Sequence, residues 1–204
     1  MNTRVRGLYA ITPEWADTTR LLVAARAAIE GGARVLQYRN KRAGPALRLE
    51  HALGLSAVCR KFGAAFIVND DVALALEVDA DGVHLGADDG DLAAARRRLG
   101  ANRLLGASCY DRLELAHAAR AAGADHIAFG SVFGSTTKPG AVRAPLTLFA
   151  AARDIGLPMV AIGGITRANA AQPIAAGAGA VAVIADLFDA PDIASCARQF
   201  AALF

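Results

Sequence analysis

Eight short apolar runs, each closed by a polar or glycine cluster and most followed by an alanine-rich amphipathic stretch, predict an α/β chain folded as a (β/α)8 TIM barrel. Two further observations support this: the even spacing of about 25 residues per unit, and the lack of a glycine-rich dinucleotide fingerprint after the first run, which argues against a doubly wound sheet. In chain order the runs are GLYAIT, RVLQYRN, AAFIVND, DGVHLG, LLGASC, HIAFGSV, PMVAIGG and AVAVIA. Between them, TTRLLVAARAAIEGG, ALRLEHALGLSAVCRKFG, DRLELAHAARAAGA and PDIASCARQFAALF repeat apolar residues at three- and four-residue spacing and often stop on glycine, which predicts helices. No linker or low-complexity tract interrupts the pattern, so one domain is expected over residues 1–204.

Composition bounds the function. At 54% hydrophobic and 20% charged the chain can bury one large core, which excludes a disordered segment. A net charge of +3 is dispersed, and the run RRR at 96–98 suits a solvated helix face. Without a basic stripe interleaved with aromatics, no nucleic-acid partner is expected, whereas an anionic small molecule suits the positive excess. Cys59, Cys109 and Cys196 form neither disulfide nor metal-ligand spacing and are expected as reduced thiols. The N-terminus has no signal core and no run of about 18 apolar residues occurs, so a cytoplasmic location away from membranes is expected.

Barrel chemistry gathers at the C-terminal ends of strands, so the residues closing each run are the candidates. In the second run, period-two alternation places Gln37, Arg39 and Lys41 on one side and Tyr38 on the other. Two cations and an amide there serve either a bound anion or carboxylates of neighbouring strands. The third run closes on Asn69, Asp70 and Asp71, and the fourth is followed by Asp88 and Asp89. Asp70 and Asp89, as hard oxygen ligands on adjacent strands, suit Mg²⁺ that shares a substrate phosphate; capping or salt bridging is the alternative, and capping fits Asp71 and Asp91 better. Ser108 closes the fifth run without a nucleophile elbow and is expected as a hydrogen-bond donor.

The sixth run leads into Ser135, Thr136, Thr137 and Lys138, all oxyanion binders. Gly163 and Gly164 close the seventh, and Ile184 and Ala185 the eighth, the usual position of a barrel phosphate site. His84, alternating with Val83 and Leu85, is expected as a core or rim histidine, and His51, His117 and His126 show no partner pattern. No nucleophile and base pair can be assembled.

LYAIT, VLQYRNK, FIVNDDVALALEVDADGVHLG, LLGASC, FGSVFGSTTK and VAIGGIT, in this order and spacing, resemble the thiamine phosphate synthase family over essentially the whole chain. The resemblance implies a transferase of thiamine biosynthesis that joins a pyrimidine methyl diphosphate to thiazole ethyl phosphate with release of pyrophosphate. It implies that Gln37, Arg39, Lys41, Asn69, Ser108 and Lys138 bind the pyrimidine diphosphate, with Arg39, Lys41, Lys138 and Ser108 as the catalytic set. Asp70 and Asp89 would hold Mg²⁺, and Ser135, Thr137, Gly164, Ile184 and Ala185 the thiazole phosphate. A dissociative substitution needs no nucleophile and base pair, in accord with the residues.

Ala87 departs from the family pattern where glutamine is common, Gly134 and Ser135 where proline and threonine are, and Ala185 where serine is. The alternatives are a thiazole tautomerase or regulatory barrel, another phosphate-binding isomerase, and a non-catalytic sensor of thiazole phosphate. The first has lost much of the diphosphate machinery, which this chain keeps. The expected partners are small-molecule phosphates; a homo-oligomer is compatible with the sequence, which does not define one.

Overall fold

The structure, a computed structural model, describes residues 5–134 and 142–204. Eight parallel strands close into a barrel in chain order: β1 (Gly7–Ile11), β2 (Val35–Tyr38), β3 (Ala65–Asn69), β4 (Gly82–Leu85), β5 (Leu104–Tyr110), β6 (His126–Phe129), β7 (Met159–Ile162) and β8 (Ala180–Val183). Pairing of Gly7 with Ala180 and Leu8 with Val181 closes the ring. All eight apolar runs are therefore strands.

Period-two alternation divides the core into two shells. One face of the strands packs Tyr9, Ile11, Val35, Ile67, Leu104, Val160 and Ala182 against one another inside the barrel. The other face, with Leu8, Leu36, Tyr38, Phe66, Val83, Leu105, Ile127 and Val181, packs under the helices. Tyr38 belongs to the outer shell, and its hydroxyl meets His51 Nδ1 at 3.2 Å. Gln37 lies on the opposite face, as the alternation requires.

The helices are α1 (Thr18–Glu30), α2 (Pro45–Phe62), α3 (Val72–Glu77), α4 (Leu92–Leu99), α5 (Leu113–Ala121), α6 (Thr147–Ala151), α7 (Ala171–Ala176), α8 (Ala185–Phe188) and α9 (Ile193–Ala201). Asp17, Asp71, Asp91 and Asp192 cap α1, α3, α4 and α9, each carboxylate accepting a backbone N–H from three residues ahead. Each such cap contributes about 1 kcal/mol. Alanine on the buried faces lets helices approach closely: a Cβ on Gly31 would lie 2.5 Å from both Ala194 O and Ala197 Cβ of α9. Short side chains contribute little apolar area each, so close approach is how these helices build their contact.

Cys59, Cys109 and Cys196 are buried free thiols. No helix among the described residues is long and apolar enough to cross a membrane.

Candidate active site

A cavity of about 480 Å³ opens at the C-terminal ends of the strands. Gln37, Arg39, Lys41, Asn69, Asp70, Asp89 and Ser108 line one side, and Gly164, Ile184 and Ala185 another. Every described candidate from the sequence thus reaches the same space. Ser135, Thr137 and Lys138 lie outside the described residues. A larger groove of about 1240 Å³ lies at the opposite end, around Gly7, Leu8, Ala65 and Phe66. There Arg103 and Arg60 pair with Asp79, and Asp81 accepts the Phe66 N–H. That face of a barrel serves stability, which leaves the smaller cavity as the site.

On β1 and β2, Thr12 fixes the segment leading to the cations, its hydroxyl accepting the Arg39 N–H at 3.0 Å. Gln37 Nε2 donates to the buried Tyr9 hydroxyl at 2.9 Å. Arg39 pairs with Glu14 at 2.6 Å, and Lys41 with Asp70 at 2.8 Å. The cations therefore pair with carboxylates from neighbouring strand ends, and they also line the cavity. Lys41 is held above its usual pKa, chiefly by its hydrogen bond to Asp70, and stays charged.

Asp70 adopts a left-handed backbone, φ +65, at the end of β3, and its N–H donates to His84 O on β4 at 2.9 Å. Aspartate tolerates this conformation better than most residues. Asp89 reaches the same rim because its Oδ2 accepts the Gly86 N–H at 2.8 Å; a Cβ on Gly86 would lie 2.7 Å from that oxygen. Burial raises the Asp70 carboxyl, and the hydrogen bond with Asp89 raises it further. For Asp89, burial acts upward, but the Asp70 hydrogen bond, the Gly86 N–H and Lys41 together outweigh it and hold the group low.

The two carboxyls thus stand close enough to shift each other in opposite directions, beside a lysine. A divalent cation would satisfy both carboxyls at once by relieving their mutual repulsion. Among the described residues no group of three or more His, Cys, Asp or Glu forms a ligand cluster. A cation here would complete its shell with water and substrate oxygens, which is the coordination magnesium accepts. The donor set fits that ion.

On the far side, Gly163 and Gly164 have φ +100 and +62, and a Cβ on either would lie 2.1 Å from Ser131 Oγ or 2.2 Å from Gly134 O. The loop after β7 is thus pressed against the loop after β6, with Phe133 N–H donating to Gly163 O at 3.0 Å. Asn169 Nδ2 donates to Gly164 O at 2.9 Å and holds the turn from below. Ile184 precedes α8, whose first residue is Ala185, and both line the cavity's edge.

Two parts of the site escape sequence reasoning. Glu14 follows the first run by two residues beyond Thr12, too far for a strand-end rule to select it. Tyr110, at the end of β5 with φ 52, lines the cavity, and its hydroxyl lies 3.4 Å from the Ala87 N–H. His126 is a correction of another kind. The sequence shows no partner pattern for it, yet its Nε2 lies 3.3 Å from His84 Nδ1, because barrel closure joins residues 42 apart.

Fold and rim define a (β/α)8 barrel protein with a cation and carboxylate cluster facing a glycine turn across one cavity. A family model described as thiamine monophosphate synthase matches residues 8–187. The chain belongs to that family. It is 59% identical to the thiamine-phosphate synthase of Chromobacterium violaceum over all of this chain and 99% of that protein. It is 56% identical to the Methylobacillus flagellatus protein of the same name, over 98% of this chain and 96% of that one. Among solved structures, the thiamine phosphate pyrophosphorylase of Pyrococcus furiosus superposes with a TM-score of 0.85 at 34% identity, covering 98% of this chain and 96% of that one.

Proposed function

We propose that this chain is a thiamine phosphate synthase, a transferase that joins a pyrimidine methyl diphosphate to thiazole ethyl phosphate and releases pyrophosphate. The observation that carries this reading is that Arg39, Lys41, Asp70, Asp89 and Ser108 share one cavity with Gly164, Ile184 and Ala185. Two anions could be held on opposite sides of the bond that forms.

Gln37, Arg39, Lys41, Asn69, Ser108 and Lys138 bind the pyrimidine diphosphate. Ser135, Thr137, Gly164, Ile184 and Ala185 bind the thiazole phosphate. Asp70 and Asp89 hold Mg²⁺, which when bound supplies positive charge to the diphosphate oxygens. Arg39 and Lys41 exchange their carboxylate partners for the diphosphate and stabilise it as it departs. Ile11, Val160 and Ile162 form apolar walls that exclude water from the electron-poor methylene carbon before the thiazole nitrogen reaches it. No side chain has to remove a proton for the carbon–nitrogen bond to form. The substrates are small phosphates, and the cytoplasm is the location in keeping with free buried thiols.

A tautomerase or sensor would bind thiazole phosphate without consuming a diphosphate. Purified protein is therefore expected to release pyrophosphate only when both substrates and Mg²⁺ are present, and to stop when the metal is chelated. Undiminished release after chelation would remove Asp70 and Asp89 from the metal role. No release from folded, metal-loaded protein would overturn the synthase reading.

A further inference from the structure

Across β4, β5 and β6 the register aligns His84, Gly106 and His126 in one layer. The two histidines lie two strands apart, and their rings meet over the glycine, with centroids 5.4 Å apart. A Cβ on Gly106 would lie 2.3 Å from His126 Nε2 and 2.4 Å from His84 Nδ1, so glycine is what lets them touch. From His84 the contact continues to the cavity: Nε2 lies 3.0 Å from Ser108 Oγ. At the other end of the chain, His126 Nδ1 is fully buried with no hydrogen-bond partner among the described residues.

Both rings are buried and, among the described residues, their side-chain hydrogen bonds reach only each other and Ser108, with no charged partner, which favours the neutral imidazole. Each then carries one N–H, and the three groups can be satisfied in two directions. With the His126 proton on Nδ1, that proton is a buried donor without an acceptor, His84 donates backward to His126, and Ser108 spends its own proton on His84. With the His126 proton on Nε2, His126 donates to His84 Nδ1, and His84 donates through Nε2 to Ser108 Oγ. Only a bare acceptor is then left at His126 Nδ1. Orphaned buried N–H groups are rarer than under-satisfied acceptors, which selects the second direction.

We propose that His126, acting through His84, is a positioning residue that turns the Ser108 hydroxyl proton toward the cavity, making Ser108 a donor to the diphosphate-bearing substrate. The substrate half of this statement rests on the function proposed above; the hydrogen-bond direction does not.

Long-range proton–nitrogen spectra of histidine-labelled, ligand-free protein are expected to show His84 and His126 both protonated on Nε2. A His84 proton on Nδ1 overturns the proposal whatever the protein catalyses. In folded His126→Phe protein, His84 should lose its single tautomer, and kcat/KM for the pyrimidine diphosphate should fall about tenfold, as for a lost hydrogen bond to a charged group. His126→Gln, whose amide offers an N–H near the same place, should recover most of that loss. Gly106→Ala, which removes no polar group but forces the rings apart, should reproduce it. The His126→Phe and Ser108→Ala losses should not add, because both act through one hydroxyl. Full additivity would assign His126 a separate role and overturn the relay. Correct tautomers with an unaffected Ser108→Ala enzyme would overturn the substrate half alone.

Discussion

Asp89→Ala is expected to lower turnover by about 10³-fold, equivalent to about 4 kcal/mol of transition-state stabilisation, while the affinity for thiazole phosphate changes by less than about twofold. The substitution removes one of two neighbouring carboxylates, so Asp70 keeps only its ion pair with Lys41 at 2.8 Å. A cation then has one protein ligand, and Lys41 stays engaged with Asp70 instead of turning to the leaving group. The Asp89 carboxylate takes its backbone hydrogen bond from Gly86 on its own loop, away from the glycine turn after β7. Steady-state kinetics beside calorimetric titration with thiazole phosphate separates the two effects. Parallel loss of both would show that the cavity is not divided as proposed.

Gly164→Ala is expected to do the reverse. At φ +62 a side chain costs about 1 kcal/mol from the backbone alone, and its Cβ would lie 2.2 Å from Gly134 O, so the turn has to move. The loop after β7 is held by Asn169 and by the β6 loop, and displacing it spoils the backbone that would face the thiazole phosphate. The expected result is a thiazole phosphate KM raised at least about tenfold, with metal-dependent binding of the pyrimidine diphosphate retained. An unchanged KM in folded protein would move the phosphate to another wall. Together the two variants predict opposite losses from one cavity.

The strands were readable because a barrel strand is buried on both faces and leaves an uninterrupted apolar run, as in FIVN and MVAI. Gln37 and Tyr38 were assigned to opposite faces by alternation alone, and Asp71 and Asp91 were recognised as caps by their place before a helix. Short helices were harder: α7, AQPIAA, has only six residues and contains Pro173, too little for a period to show. The pairings inside the site were not readable. Arg39 meets Glu14 across 25 positions and His84 meets His126 across 42, distances that only closure and register can shorten. Gly106 was invisible for the same reason, since its role depends on two rings supplied by other strands. For Asp70 and Asp89 the residues alone left Mg²⁺ binding and capping or salt bridging open, and the resemblance favoured the metal; geometry adds that a lysine pairs with Asp70.

The central claim is that this cavity breaks a carbon–oxygen bond and makes a carbon–nitrogen bond, with no phosphoryl group transferred to protein, water or the second substrate. Pyrimidine diphosphate carrying heavy oxygen at the position between the methylene carbon and phosphorus tests it directly. Incubated with thiazole phosphate and Mg²⁺, the protein is predicted to deliver all of the label into pyrophosphate, one equivalent for each molecule of joined product. Label retained on the pyrimidine methylene would mean that phosphorus–oxygen cleavage occurs instead, and would contradict the account.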